Sequence, residues 1–218
     1  MLHLMTTELL KLVGEKMLVS NRGLLEEMNY GSIKIDPFFP ELVQPASYDV
    51  TLDPCFKLQL KIDDAQGVSL DIDPAVDNSD YFIDVDVPKG AAFALEPGAF
   101  ALGSTHETIM LGANIASRLE GKSSLGRLGL IVHSTAGFID PGFDGQITLE
   151  FSNVGTMPIL LWPGMKIGQL CFYHLPEPTT LLYGSRLAGS HYQGQHGPTT
   201  SKSYQNFKIY DVYGNSDS

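Results

Sequence analysis

A chain of 218 residues with 43% hydrophobic content is enough for one domain with a buried core, or one domain with appendages. A formal charge of −11 excludes a general nucleic-acid binder, which needs cationic patches to displace counterions. Any phosphate ligand must be met by a local cluster of Lys, Arg and main-chain N–H groups, with Mg2+ offsetting the charge. No apolar run approaches a membrane span, and the N-terminal stretch lacks the basic start, apolar run and cleavage site of a signal peptide. Cys55 and Cys171 make neither a metal pattern nor a disulfide framework, which fits a reducing cytoplasm.

Leucines at helical spacing over residues 4–13 predict a short helix. A second is predicted next, with Ser20 or Asn21 as N-cap and Leu24, Leu25 and Met28 on one face. Met17 offers a second start, which makes residues 1–16 an N-terminal extension. From residue 31 the texture changes to short apolar runs punctuated by Pro, Gly, Asp and Asn, the spacing of a β-sandwich or barrel. SYDVTL, CFKLQLKI, YFIDVDV, AAFAL, AFALGST, HETIML, QITLEFSNV, PILLW and KIGQLCFYHL read as strands, and Pro97-Gly98 and Pro163-Gly164 as turns. No helix longer than a few turns is expected after residue 30. The aspartates over residues 63–80 fit no calcium loop and read as exposed turn residues. After Leu182 the chain is rich in Gly, Ser, Thr and Tyr; it cannot build core and is either a disordered tail or a lid. The expected division is an extension over 1–16, an all-β body with its N-terminal helix over 17–182, and a lid or tail over 183–218.

Residues 119–150 gather the possible chemistry. Gly121-Lys122-Ser123-Ser124 lacks the first Gly of a Walker loop, so this is no P-loop NTPase. Ser123 and Ser124 at the start of a short helix, with Lys122 and Arg127 beside them, suit a phosphate. Equally, Ser123 is a plain N-cap and Arg127 a surface ion pair. Glu150 closes the strand-like ITLE, sharing a face with Thr148 opposite Ile147 and Leu149. A solvated face is the simpler reading of that residue taken alone. A buried carboxylate there would be costly unless used, and burial suits it to proton transfer. Asp140, before Pro141-Gly142, is a turn former or a carboxylate delivered to a barrel mouth. His133, beside Val132, reads as a hydrogen-bonded packing residue rather than a base. Zinc nucleobase deaminases need H-x-E and P-C-x-x-C elements. Neither occurs here, so zinc is not expected.

The composite of EGKSSLGRLGL, HSTAGFIDPGFDGQITLEFSN, PGMKIGQL and YQGQHGPTTSKSYQNF resembles dCTP deaminases of the trimeric dUTPase superfamily. Upstream, MLVSNRGLLEEM looks like that family's N-terminal helix and IDPFFPELVQPASYDVTLD its first strand region. The resemblance implies a distorted jelly-roll barrel, a homotrimer with nucleotide sites at subunit interfaces, and dCTP or dUTP as ligand. dTTP feedback is a further implication. Glu150 falls on the family's catalytic glutamate, which activates water without a metal for attack on C4 of cytosine. Asp140, Ser123 and Arg127 join it as catalytic candidates. Lys122, Ser124, Leu125, Gly126, Ala136, Thr148, Leu149, Gln169, Tyr183, His191 and Gln195 complete the implied nucleotide contacts. The family carries Lys where this chain has His191, a change that would weaken a triphosphate contact.

Gly137-Phe138 before Ile-Asp resembles the branch that continues to dUMP and diphosphate. Its second step needs Mg2+ on the triphosphate and a carboxylate such as Asp140. The alternatives are a deaminase that releases dUTP, a plain dUTPase, or a non-catalytic nucleotide-binding module. The position of Glu150 argues against the dUTPase, and the joint presence of Ser123, Arg127 and Glu150 against the module.

Overall fold

The computed structural model describes residues 17–60, 71–133 and 136–210. The helix expected over 4–13 and part of the acidic stretch lie outside them. The first described element is the helix Asn21–Tyr30. Ser20 is its N-cap, accepting from the Gly23 N–H at 3.3 Å, and Gly31 closes it at φ 79°, in the left-handed region. Leu24 faces the core as expected, but Leu25 is 50% exposed. Gly23 and Leu24 are its buried residues and Met28 packs partly buried against the core, while a Cβ on Gly23 would lie 3.1 Å from Val19 Cγ1 in the segment before the helix.

The strands form two principal antiparallel sheets. The first runs β5 (Phe82–Asp86), β4 (Cys55–Gln59), β7 (Phe100–Leu111), β11 (Asp144–Asn153) and β9 (Leu130–Val132), with β1 (Ile33–Asp36) also on β7. The second runs β10 (Phe138–Ile139), β8 (Ile115–Gly121), β13 (Lys166–His174), β3 (Ser47–Thr51) and β2 (Val43–Gln44). A small pair, β6 (Phe93–Leu95) and β12 (Ile159–Leu161), stands apart. Among the described residues the two large sheets do not close into one ring; the bridge Leu52↔Thr105 ties them together.

One core cluster draws on both sheets, from Tyr48, Val50 and Phe172 on one side to Phe56, Leu149 and Phe151 on the other. Phe56 stacks on Phe93 at 4.4 Å and meets Phe151 at 6.2 Å. Gly103, mid-strand in β7, makes room for them: a Cβ there would fall 2.6 Å from Phe151 Cε2.

AFALGST and HETIML, read as two runs, are one strand with an irregularity. Between Gln146 and Thr148 the β11–β7 register shifts, and the Ile147 N–H donates to Thr105 Oγ1 at 2.9 Å instead of to a ladder carbonyl. Buried Glu107 accepts there from the Thr51 N–H at 2.9 Å and from Thr51 Oγ1 at 2.8 Å. The helix Ser123–Gly126 is a single turn, and among the described residues no helix of more than a few turns follows residue 30, as expected. In the acidic stretch, Asp73 accepts from Ala75 N and Asp77 from Ser79 N, both turn contacts. The hydrogen bonds from Ser79 hold the Asp77 carboxyl below its usual range.

Candidate active site

β11 alternates as expected: Ile147, Leu149 and Phe151 are buried while Thr148, Glu150 and Ser152 are half-buried on the opposite face. Glu150 lies within the strand, not at its end, because β7 and β9 both pair with the residues that follow it and carry the strand to Asn153. Only that end of β11 has β9 as its second neighbour. Along its N-terminal half the chain after residue 190 takes the edge. Gly194 N donates to Asp144 O at 2.7 Å, Gln146 N to Gln195 O at 3.0 Å, and Thr199 N to Thr148 Oγ1 at 3.2 Å. An edge strand's unpaired groups need partners, and the tail provides them. Glu150 sits where tail cover ends and β9 cover begins.

Glu150 faces a cavity of about 640 Å³. Ala136, Phe138, Asp140, Thr148, Tyr183 and Gln195 share its wall, so the expected carboxylates and most of the expected contacts from the β10–β11 region and the tail do converge. Phe82, Phe100, Leu102 and Ile147 make much of the rest apolar, as suits a flat ring. Ile72, Pro74 and the tail residues 199–201 and Ser203 border it, with Ser203 Oγ donating to Pro74 O at 2.8 Å. Burial pushes the Tyr183 hydroxyl up, so it stays a neutral hydrogen-bonding group at neutral pH. His191 lines an adjoining smaller hollow that shares Asp140, Tyr183 and Tyr192 with the first.

His133 ends β9 at φ 61°, unusual outside glycine, and its N–H donates to Glu150 O at 3.0 Å. Its Nε2 lies 2.7 Å from Ala136 O, the hydrogen bond expected of it, but the ring is half-buried on the cavity wall rather than packed into the core. Gly137 is pressed against β8: its carbonyl accepts from Leu119 N at 2.7 Å, and a Cβ there would fall 2.6 Å from Leu119 O. No side chain fits at that position without backbone movement, while Phe138 beside it opens onto the cavity.

The cationic half lies elsewhere. Lys122, Ser123, Ser124, Leu125, Gly126, Arg127 and Gln169 do not line the cavity. Lys122, not Ser123, occupies the N-cap of the single turn, and it makes no side-chain cap bond. Arg127 is exposed and makes no ion pair among the described residues. Gln169, on β13, accepts from Ser47 Oγ at 3.3 Å. The Leu149 side chain is fully buried in the core, leaving only its main chain for a ligand.

Several residues escaped the sequence reading. Gln59, Phe82, Phe100 and Leu102 enter the cavity from β4, β5 and β7, where no motif marks them. Tyr192, in the Tyr-Gln-Gly segment of the tail, lines it too. Asp49 is buried beside Lys122, and a carboxylate between Tyr48 and Val50 in an apolar run was the available signal.

Two antiparallel sheets over one core, with a cavity bearing two carboxylates beside the tail-covered edge of a long strand, make this an all-β protein whose candidate active site lies at a sheet edge. A family model described as dCTP deaminase-like matches residues 18–175, and the chain belongs to that family. A "dCTP deaminase, dUMP-forming" of Bifidobacterium adolescentis is 54% identical over 196 residues, covering 90% of this chain and 99% of the relative. Another of that name, from Beutenbergia cavernae, is 56% identical over 191 residues, covering 88% and 97%. The crystal structure of 2'-deoxycytidine 5'-triphosphate deaminase from Agrobacterium tumefaciens superposes with a TM-score of 0.56 at 22% identity, over 73% of this chain and 48% of that one, a likeness of fold. Among the described residues no helix is long and apolar enough to cross a membrane.

Proposed function

We propose that this chain deaminates dCTP and carries the product on to dUMP, releasing ammonia and diphosphate. The observation that carries the reading is Glu150 on the wall of an apolar cavity, next to the Gly137-Phe138 pair, in a chain whose relatives of 54% and 56% identity are named dUMP-forming dCTP deaminases. The cavity takes the pyrimidine. Glu150 accepts a proton from water as that water attacks C4, and returns it to the base so that ammonia leaves. Ala136, held by His133, and the Thr148 side chain border the same space and orient ring and water.

In the second step water attacks the α-phosphorus and diphosphate leaves, with Asp140, exposed on the cavity wall, orienting the attack. The wall carries two carboxylates, Asp140 and Glu150, a set suited to a hydrated ion carried in on the nucleotide rather than to a resident metal. Mg2+ bound to the triphosphate would neutralise part of its charge.

Lys122, Ser123 and Arg127 serve the phosphates and base. They do not line the cavity that holds Glu150 in the same chain, which supports a site completed by a neighbouring copy in a homotrimer. The tail over 183–210 acts as the lid. His191 stands near the phosphates as a weaker partner than the lysine it replaces. dTTP feedback and a cytoplasmic location follow from the same reading.

Product identification tests it. Purified protein with dCTP and Mg2+ should yield dUMP, diphosphate and ammonia in equal amounts. Accumulation of dUTP would move it to the deaminase-only reaction, and dUTP hydrolysis without ammonia from dCTP would make it a dUTPase.

A further inference from the structure

Asp49 is buried, with its side chain 2% exposed, on the face of the second sheet that also carries Gln169 directly opposite it. Its Oδ1 accepts from Lys122 Nζ at 2.6 Å, and its Oδ2 lies 3.2 Å from Lys166 Nζ. A buried carboxylate needs one counter-charge to be tolerated; this one has two. The pair leaves one net positive charge, and Arg127 beyond the same turn makes two, in a chain whose total is −11. Lys122 is largely covered, whereas the Lys166 side chain is 47% exposed, and an ammonium has three donors of which Asp49 uses one.

The backbone explains how the two lysines meet. β13 pairs antiparallel with β8 up to Gly168↔Gly121. Lys166, two residues before Gly168, and Lys122, one after Gly121, therefore lie at the same end of the ladder, where both reach Asp49. On its other side the β13–β3 pairing shifts between Lys166 and Gly168, an irregularity of the kind that re-aims a side chain. Lys166 is thereby turned onto Asp49, beside the Lys122-Ser123 turn.

We infer that Lys166 is a further cation of the triphosphate subsite, and that Asp49 is the positioning residue that holds Lys122 and Lys166 as a fixed pair. The inference rests on Lys122 serving the phosphates, as proposed above. Its ligand is the polyphosphate of a nucleoside triphosphate. Two ammonium groups tethered to one carboxylate lose less side-chain freedom on binding than two free surface lysines. The free donors of Lys166 remain available to a phosphate oxygen.

The test compares wild type with Lys166→Met, Lys166→Arg and Asp49→Asn by ammonia release from dCTP with Mg2+ at low and high salt. Lys166→Met should raise KM about tenfold, the loss expected for one charged hydrogen bond. Its kcat should stay within about twofold, because uniform binding is what is removed. Its KM should also depend less steeply on salt than that of wild type, whereas Lys166→Arg should keep both the KM and the salt dependence. Asp49→Asn should raise KM in the same sense. If it does not fold, Lys166→Met decides alone. An unchanged KM and salt dependence in Lys166→Met would overturn the inference and leave Lys166 as a counter-charge only. If wild type releases no ammonia from dCTP, the proposed function fails. The inference is then decided by whether inorganic triphosphate raises the melting temperature of wild type more than that of Lys166→Met.

Discussion

The His133 N–H donates to the Glu150 carbonyl at 3.0 Å, so the residue that turns the chain out of β9 also anchors the strand segment bearing the carboxylate. His133 adopts φ 61° to do so. A β-branched residue tolerates that region poorly. His133→Val should therefore cost about 1–3 kcal/mol, seen as a lower melting temperature, and should reduce turnover of dCTP. Unchanged stability would mean that the turn relaxes freely and does not hold Glu150.

Gly137 is a second point of close approach. With Leu119 O 2.6 Å from any Cβ there, Gly137→Ala must push β10 away from β8. The expected cost is about 1–3 kcal/mol of stability together with loss of activity, because Ala136 and Phe138 move with it. Thermal unfolding and dCTP turnover check both halves, and wild-type behaviour in the two assays would contradict the account.

The tail's role is separable from the fold. Deleting the chain from Gly194 removes the contacts of Gln195, Gly197 and Thr199 with Gln146 and Thr148. Each such bond is worth about 1 kcal/mol net, so the four together are worth about 4 kcal/mol and melting should fall by roughly 10 °C while the chain still folds. KM for dCTP should rise by about tenfold or more, because the cavity loses one wall. A truncated chain with normal KM would show that the tail is no lid.

Glu107 predicts a pH effect on stability. Burial pushes its carboxyl up from the ordinary 4.5, against the two hydrogen bonds from Thr51. The folded state thus favours the protonated acid. Its contribution is full below the unfolded value and is lost as pH rises through the elevated folded one. Glu107→Gln keeps a neutral group of the same shape. Its melting temperature should therefore fall less than that of wild type between about pH 4 and pH 8. Parallel profiles for the two proteins would contradict this.

Much of the architecture was legible because period-two burial is written into the strands. The faces of Thr148 and Glu150 followed from Ile147 and Leu149 alone. The errors have local causes. β7 looked broken because its polar Ser-Thr-His-Glu stretch mimics a turn. There Thr105 Oγ1 takes the Ile147 N–H and Glu107 binds Thr51, contacts between distant segments that no window contains. Leu25 was placed inward because helical spacing shows that a face exists, not where it is centred. The chemistry divides in the same way. The resemblance implied that Glu150, Asp140, Tyr183 and Gln195 meet at one site, and they line one cavity. The separation of Lys122 and Arg127 from the cavity depends on which sheet each strand joins, which spacing does not encode. Asp49 and Lys166 lie in runs that read as strands, but their shared contact arises beside a register shift.

The central claim is that Glu150 is the base that activates water for attack on cytosine. Ammonia release from dCTP by Glu150→Gln, with dCTP binding followed by thermal shift, tests it most directly. The account predicts a fall in kcat of about 10²- to 10⁴-fold with stabilisation by dCTP retained. Ammonia release close to the wild-type rate would place the base elsewhere and contradict it.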